Sequence, residues 1–231
     1  DGSALGLRLT YKEQVSPRGI AEAFIIGEEF IGDDAVCLIL GDNIFYGSGL
    51  SSILADATRQ IGNRGGAVVF GYYVMNPESF GVVEFDKDGT VLSIEEKPES
   101  PKSNYAVTGL YFYDNEVVKM AKEIEPSWRN EIEITDINKR YLEKNRIAVQ
   151  LLGRGFAWLD TGTCEALVTA SEFIETIEKR QGLKIACLEE IAYKLGYIDD
   201  VQIRRLIQQF KTCQYGEYLI SVLKDAQMST R

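Results

Sequence analysis

The chain has 231 residues, 45% of them hydrophobic, enough to bury one substantial core or one core with a small helical appendage. Its 25 basic and 35 acidic residues give a net charge of −10, which argues against wrapping nucleic acid or an anionic membrane while leaving room for a local basic pocket that binds phosphate. There is no histidine, so Ser-His-Asp and Cys-His catalysis and histidine-ligated zinc are excluded. The carboxylates, lysines, arginines and backbone groups that remain suit a hard cation such as Mg²⁺ and phosphate ligands.

No apolar run approaches the roughly 20 residues that span a bilayer, and no secretory pattern opens the chain. Cys37, Cys164, Cys187 and Cys213 are scattered, without a Cys-x-x-Cys pair. They fit neither a zinc site nor a disulfide framework, and reduced thiols in a cytoplasmic protein are expected. The chain has no starting methionine and opens on the loop-like Asp1-Gly2-Ser3-Ala4. It reads as an N-terminally incomplete piece of a longer protein.

In chain order, Leu5, Leu7, Leu9 and Tyr11 alternate, which predicts a strand over 5–14. A turn at Ser16-Pro17-Arg18-Gly19 leads into a helix over 20–31, stopped by Gly32-Asp33-Asp34. Val36-Cys37-Leu38-Ile39-Leu40 is an unbroken apolar run, ended by Gly41-Asp42-Asn43, and reads as a strand covered on both faces. The order strand, helix, strand suggests a parallel pair with a crossover. Residues 45–49 read as a loop, 50–61 as a helix and 67–74 as a second apolar strand. A hairpin is expected over 82–85 and 90–95, turning at Asp86-Lys87-Asp88-Gly89. A loop over 98–103 and a strand over 105–113 follow. Helices over 116–124 and 135–144, a strand over 147–152, the stretch Phe156 to Thr163, and a helix over 164–181 capped by Thr163 come next. Short helices over 188–195, 201–210 and 218–223 complete the chain. The whole reads as a mixed α/β domain over 1–181, with a helical C-terminal segment over 182–231 packed on it.

In open α/β sheets, ligands bind beyond the carboxyl ends of the strands. Asp42 stands at such an end, and Asp160 follows another aromatic-apolar stretch. Each could be an ordinary turn residue. Two such acids could equally meet around one Mg²⁺, which needs only one or two carboxylates and takes its other ligands from phosphates and water. In Glu95-Glu96-Lys97-Pro98, Pro98 favours an extended Lys97. A lysine beside an acid there can meet a phosphate and sugar hydroxyls, or be a solvated charge cluster. Gly19, at a helix N-terminus, can bring backbone N–H groups to a polar ligand or simply make a turn. Trp158 requires burial and a partner for its N–H.

Several blocks then carry a resemblance: "SPRGIAEAFIIGEEFIG", "LGDNIFYG", "FGVVEFD", "EEKPESPKSNYAVTGLYFYD", "EIEITDIN", "GRGFAWLDTGT" and "RQGLKIACLEEIA". In this order they resemble the glucose-1-phosphate thymidylyltransferases, the sugar nucleotidyltransferases that make dTDP-glucose. The resemblance implies a Rossmann-like α/β fold of the nucleotide-diphospho-sugar transferase type, with a mixed, mostly parallel sheet flanked by helices and a helical C-terminal tail. It places Gln14 and Gly19 on the thymine ring, and Asp42 and Asp160 on Mg²⁺. Asn43, Gly81, Glu96, Lys97, Val107 and Trp158 fall on the glucose 1-phosphate pocket, with Tyr111 and Arg129 close by. Asp42, Lys97 and Asp160 are then the catalytic candidates. Implied partners are dTTP, glucose 1-phosphate, dTDP-glucose, a dTDP-sugar end-product inhibitor and copies of the chain in a homotetramer. The family's Gly-rich loop with its Arg is absent from this sequence and belongs upstream of Asp1. Phe80 stands where an aromatic hydroxyl is common, and Cys164 where a histidine is common. A non-catalytic dTDP-sugar-binding homologue and a UTP-using relative are the alternatives.

Overall fold

A computed structural model describes residues 1–229, which fall into two compact units, one of Lys12–Leu167 and one of Asp1–Tyr11 with the described residues from Val168 on. The larger unit is built on a six-stranded mixed sheet of order β5-β4-β6-β3-β7, with β1 added beside β6. Its strands are β1 (Val36–Ile39), β3 (Ala67–Tyr73), β4 (Gly81–Phe85), β5 (Val91–Glu96), β6 (Tyr105–Tyr113) and β7 (Ile147–Leu152). A separate ribbon pairs β2 (Asn43–Gly47) with β8 (Phe156–Asp160).

The spine is β6, nine residues long and buried along nearly all its length. Such a strand must be apolar on both faces. Val107, Tyr111 and Tyr113 face one core with Phe24, Ile134, Ile137 and Tyr141, and Leu110 and Phe112 face another with Ala57, Ile61, Val68 and Phe70. β3 lies along one edge of β6. On the other edge β1 and β4 lie end to end: Val36–Ile39 oppose Tyr113–Leu110, and Val82 opposes Ala106. Between the end of β1 and the start of β4, β6 has no strand beside it. The site opens there.

The α/β architecture with a mixed sheet flanked by helices is as expected. Only β3 and β7 pair in parallel, however, and the other pairings of the sheet are antiparallel. All of these pairings but β4–β5, a hairpin, follow from one feature. β1, β3, β4 and β7 point the same way, and β6 runs against them from the middle of the sheet.

Other expectations fail locally. Residues 5–14 contain no strand, because the N–H groups of Leu7 and Leu9 turn back to the carbonyls of Gly2 and Asp1 instead of pairing along a ladder. The strand expected to be covered on both faces, β1, alternates between half-buried and exposed, and Ile39 is 60% exposed. The helix expected over 20–31 is broken at Gly27 into α1 (Glu22–Ile26) and α2 (Glu28–Ile31). The loop expected at 45–49 is largely β2, where Gly47 is so close to the Phe156 ring that a Cβ would lie 2.2 Å from it. The helices α3 (Leu50–Arg64), α4 (Glu116–Glu123) and α5 (Ile134–Glu143) lie close to their expected positions.

The smaller unit is helical: α7 (Leu188–Lys194), α8 (Asp200–Gln209) and α9 (Gln214–Ser229) gather around Ile203, Leu206, Leu219 and Leu223, with Leu5 against them. Asp199 closes a capping box with Gln202 at the start of α8. α6 (Cys164–Gln181) has the expected bounds, and the Thr163 hydroxyl accepts the Ala166 N–H at 3.1 Å as its cap. No helix among the described residues is long and apolar enough to cross a membrane.

Candidate active site

The gap beside β6 is the floor of a cavity of about 430 Å³. Eleven of the twelve residues named from the sequence line it: Gln14, Gly19, Asn43, Gly81, Glu96, Lys97, Val107, Tyr111, Arg129, Trp158 and Asp160. Asp42 is the exception. Its side chain is exposed and lies outside the lining, one residue from Asn43, which opposes Asp160 in the β2–β8 ladder. The two acids therefore stand at the same end of one ribbon. The Asp42 carbonyl accepts from both the backbone N–H and the hydroxyl of Thr161, each at 2.8 Å, which fixes this end of the ribbon.

Asn43 is the hinge of this corner. Its Oδ1 accepts from the Trp158 indole N–H at 2.6 Å and from the Gly109 N–H at 3.0 Å. With the oxygen so engaged, the amide nitrogen must point the other way, and it donates to Asp42 Oδ1 at 2.9 Å. Gly109 has to be glycine, since a Cβ would lie 2.5 Å from Asn43 Oδ1. Trp158 is buried with its N–H satisfied, as its chemistry demanded. Its ring meets Phe80 and Tyr72 at centroid distances of 5.2 and 5.8 Å.

The opposite wall is charged. Glu96 Oε2 accepts from the Thr135 hydroxyl at 2.6 Å, and Gly81 leaves room for both groups, since a Cβ there would sit 3.3 Å from Thr135 Oγ1 and 3.4 Å from Glu96 Oε2. Arg129 forks onto Glu133, with two contacts of 2.8 Å, and lies 3.5 Å from Glu131 and 3.7 Å from Glu96. Its guanidinium is held more firmly protonated than usual, first by the hydrogen bond to Glu133. Lys97 departs from the extended backbone expected before Pro98. Its φ is +42°, and its N–H donates to the Phe80 carbonyl at 3.0 Å, closing the end of the β4–β5 hairpin. A lysine in this region is strained, a feature concentrated at functional sites. Lys97 makes no ion pair among the described residues, which leaves its ammonium group for a ligand.

The lining acids Glu96, Glu131, Glu133 and Asp160 outnumber the lining cations Lys97 and Arg129. A phosphate-bearing ligand entering this wall needs further positive charge. Among the described residues no group of three or more acidic, Cys or His side chains could hold a metal alone. Two carboxylates at one ribbon end, Asp42 and Asp160, are the donor set Mg²⁺ takes when phosphates and water supply the rest. The residues fit a hard divalent cation as a ligand-completed site.

At the third wall, Gly19 (φ +95°) lies against Ile132, where a Cβ would be 2.4 Å from the carbonyl oxygen. The Ala21 N–H donates to Ile132 O at 3.2 Å, and the Ile132 N–H to Arg18 O at 2.7 Å. Gln14 Nε2 donates to Gly19 O at 3.1 Å and to Glu22 Oε2 at 2.6 Å.

Sequence reasoning assigned no role to Glu22, Gly109, Glu131, Glu133 or Thr135. One signal was available: Glu131 and Glu133 alternate with Ile132 just before α5, a period of two that sets both acids on one face of an extended segment.

Comparison with known proteins places this geometry among relatives. Residues 1–177 match the family described as nucleotidyl transferase. The glucose-1-phosphate thymidylyltransferase of Neisseria meningitidis serogroup A is 54% identical over 97% of this chain and 77% of its own length. That of Mycobacterium tuberculosis is 48% identical over 97% of this chain and 76% of its own. Among solved structures, a candidate glucose-1-phosphate thymidylyltransferase from Bacillus anthracis, in complex with a sucrose, superposes with a TM-score of 0.66 at 40% identity, covering 74% of this chain and 67% of that one. A UDP-glucose pyrophosphorylase complexed with UDP-glucose gives a TM-score of 0.64 at 26% identity, covering 72% of this chain and 66% of that one.

Proposed function

The chain belongs to the glucose-1-phosphate thymidylyltransferase family of nucleotidyl transferases, and from that premise we propose that it transfers a thymidylyl group from dTTP to α-D-glucose 1-phosphate. A phosphate oxygen of the sugar phosphate attacks the α-phosphorus of dTTP. The bond from that phosphorus to the bridging oxygen of the β-phosphate breaks, and dTDP-glucose and pyrophosphate are the products. The observation that carries this reading is the gathering of Gln14, Glu96, Lys97, Trp158 and Asp160 around one cavity.

Each residue has a task its chemistry permits. Glu96, held by Thr135, accepts from sugar hydroxyls. Lys97 neutralises the phosphate of the sugar as it approaches the triphosphate. Gln14 and Gly19 meet the base. Asn43, fixed by Trp158 and Gly109, orients Asp42. Asp42 and Asp160 would hold the divalent cation, proposed to be Mg²⁺, which would neutralise charge on the phosphates when bound. Such a reaction depends on positioning and charge neutralisation, so a chain without histidine is equipped for it.

The test is pyrophosphate release by the purified protein with dTTP, glucose 1-phosphate and Mg²⁺. Release that requires all three, with UTP used less well, is the expected result. Tight binding of dTDP-glucose without turnover would replace this reading with that of a binding protein, and preference for UTP would replace the nucleotide.

A further inference from the structure

The carboxylate of Glu22 belongs to no substrate contact proposed above, yet it is only 4% exposed, beside a cavity residue. It receives a hydrogen bond from Gln14 at 2.6 Å and another from the Arg18 guanidinium. A primary amide carries two N–H hydrogens. Gln14 gives one to Glu22 and the other to Gly19 O at 3.1 Å. Turning the amide over would set its oxygen against two acceptors and lose both bonds. Glu22 cannot accommodate that turn by donating, because an ionised carboxylate only accepts, and its carboxyl is held below the usual range first by Gln14 and then by Arg18.

We propose that Glu22 is a positioning residue that locks the Gln14 amide so that only its oxygen faces the nucleobase. This rests on the thymidylyltransferase reading and sharpens it. A general pyrimidine contact could use either end of the glutamine. A locked Oε1 requires an N–H donor on the base edge it meets, as the imide N3–H of thymine or uracil supplies. Cytosine presents an unprotonated ring nitrogen there and sets acceptor against acceptor. Arg18, 62% exposed in its side chain, pairs with Glu22 from the outer side and keeps the buried carboxylate charged.

The experiment measures kcat and KM for dTTP, dUTP and dCTP in the wild type, Glu22→Leu and Glu22→Gln, with folding checked by thermal unfolding. The wild type is expected to use dTTP and dUTP and to disfavour dCTP by about 10³-fold or more in kcat/KM, as sites built around a hydrogen bond reject partners that lack it. Glu22→Leu is expected to raise the KM for dTTP about tenfold with kcat little changed, and to shrink the dTTP-to-dCTP ratio by a similar factor. Glu22→Gln keeps an oxygen acceptor in place and is expected to hold the ratio within about threefold. If the folded Leu variant loses activity on all nucleotides alike, or keeps the wild-type ratio, Glu22 is only structural and the proposal fails. Should the Leu variant not fold, the wild type decides. Both side-chain amide protons of Gln14 are expected to be downfield and slow to exchange in ¹⁵N-edited spectra, and free-amide values overturn the lock. Should no nucleotide be turned over, the enzymatic reading fails by itself. Calorimetric binding of dTTP against dCTP then decides the Gln14–Glu22 lock, and equal affinities overturn it.

Discussion

The tip and the middle of β6 hold acids in opposite ways. Beyond Tyr113, Asp114 is surrounded by donors: Tyr141 Oη at 2.6 Å, the Gly66 N–H at 2.5 Å, the Arg146 guanidinium at 2.5 Å and the Glu116 N–H at 3.1 Å. Halfway along the strand, beside Gly109, Asp42 receives the Asn43 amide and Asp160 the Gly162 N–H, and among the described residues neither is paired with a Lys or Arg. A half-buried carboxylate satisfied by the protein supports the fold. One given a single neutral donor keeps its charge for something that arrives from outside. The same strand thus has a structural acid just past its tip and ligand-seeking acids beside its middle. A column of rings runs from the cavity wall to the tip, Tyr111 stacking on Tyr113 at 6.2 Å and Tyr113 on Tyr141 at 5.5 Å.

The contrast can be broken by moving the loss from one place to the other. Asp160→Asn is expected to cut kcat/KM by about 10²–10³-fold while leaving the melting temperature within about a degree of wild type. Asp114→Ala should do the reverse. It leaves the Tyr141 hydroxyl and the Gly66 N–H without their acceptor and is expected to cost about 3 kcal/mol, seen as a fall in Tm of roughly 6–12 °C, with activity per folded molecule retained. A variant at either position that lost both properties together would erase the distinction.

Smaller changes sharpen it. Gly81→Ala puts a methyl group 3.3 Å from the Thr135 hydroxyl that holds Glu96. The displaced carboxylate should raise the KM for glucose 1-phosphate by roughly threefold to tenfold, with the KM for dTTP little changed. At the structural end, the smallest effect is in acid. Glu116, hydrogen-bonded by Lys144 and then Arg146, has its carboxyl depressed from 4.5 to about 2. A depressed folded pKa contributes stability that is complete above the unfolded value and is lost as pH falls from about 4.5 toward 2. Denaturant titrations over that window should show Glu116→Gln with a flatter acid dependence than wild type. An identical slope would remove Glu116 from the acid response.

How much of this was legible in the sequence follows from what each element depends on. β6, β7 and α6 have their expected bounds because local apolar periodicity and a Thr cap define them. β2 was hidden because its Gly-Ser-Gly ending reads as a loop and its partner β8 lies more than a hundred residues away. The alternation of Leu5, Leu7, Leu9 and Tyr11 looked like a strand, but alternation makes a strand only where another backbone is present to pair. Pro98 suggested an extended Lys97, and the hydrogen bond to Phe80 overrode it. The site residues were visible one at a time as acids, a lysine and a glycine at element ends. Their gathering comes from the gap between β1 and β4 on β6, which no local pattern encodes. The Gln14–Glu22 pairing joins two turns of chain through side chains, and it too leaves no periodic trace.

The shared task of Asp42 and Asp160 is the central claim, and Mn²⁺ binding followed by electron paramagnetic resonance in the presence of dTTP tests it most directly. Asp42→Asn and Asp160→Asn are each expected to weaken Mn²⁺ binding by about tenfold or more, and the double variant to lose less than the product of the two, as ligands of one ion do. Wild-type Mn²⁺ affinity in either single variant would contradict a common cation at that ribbon end.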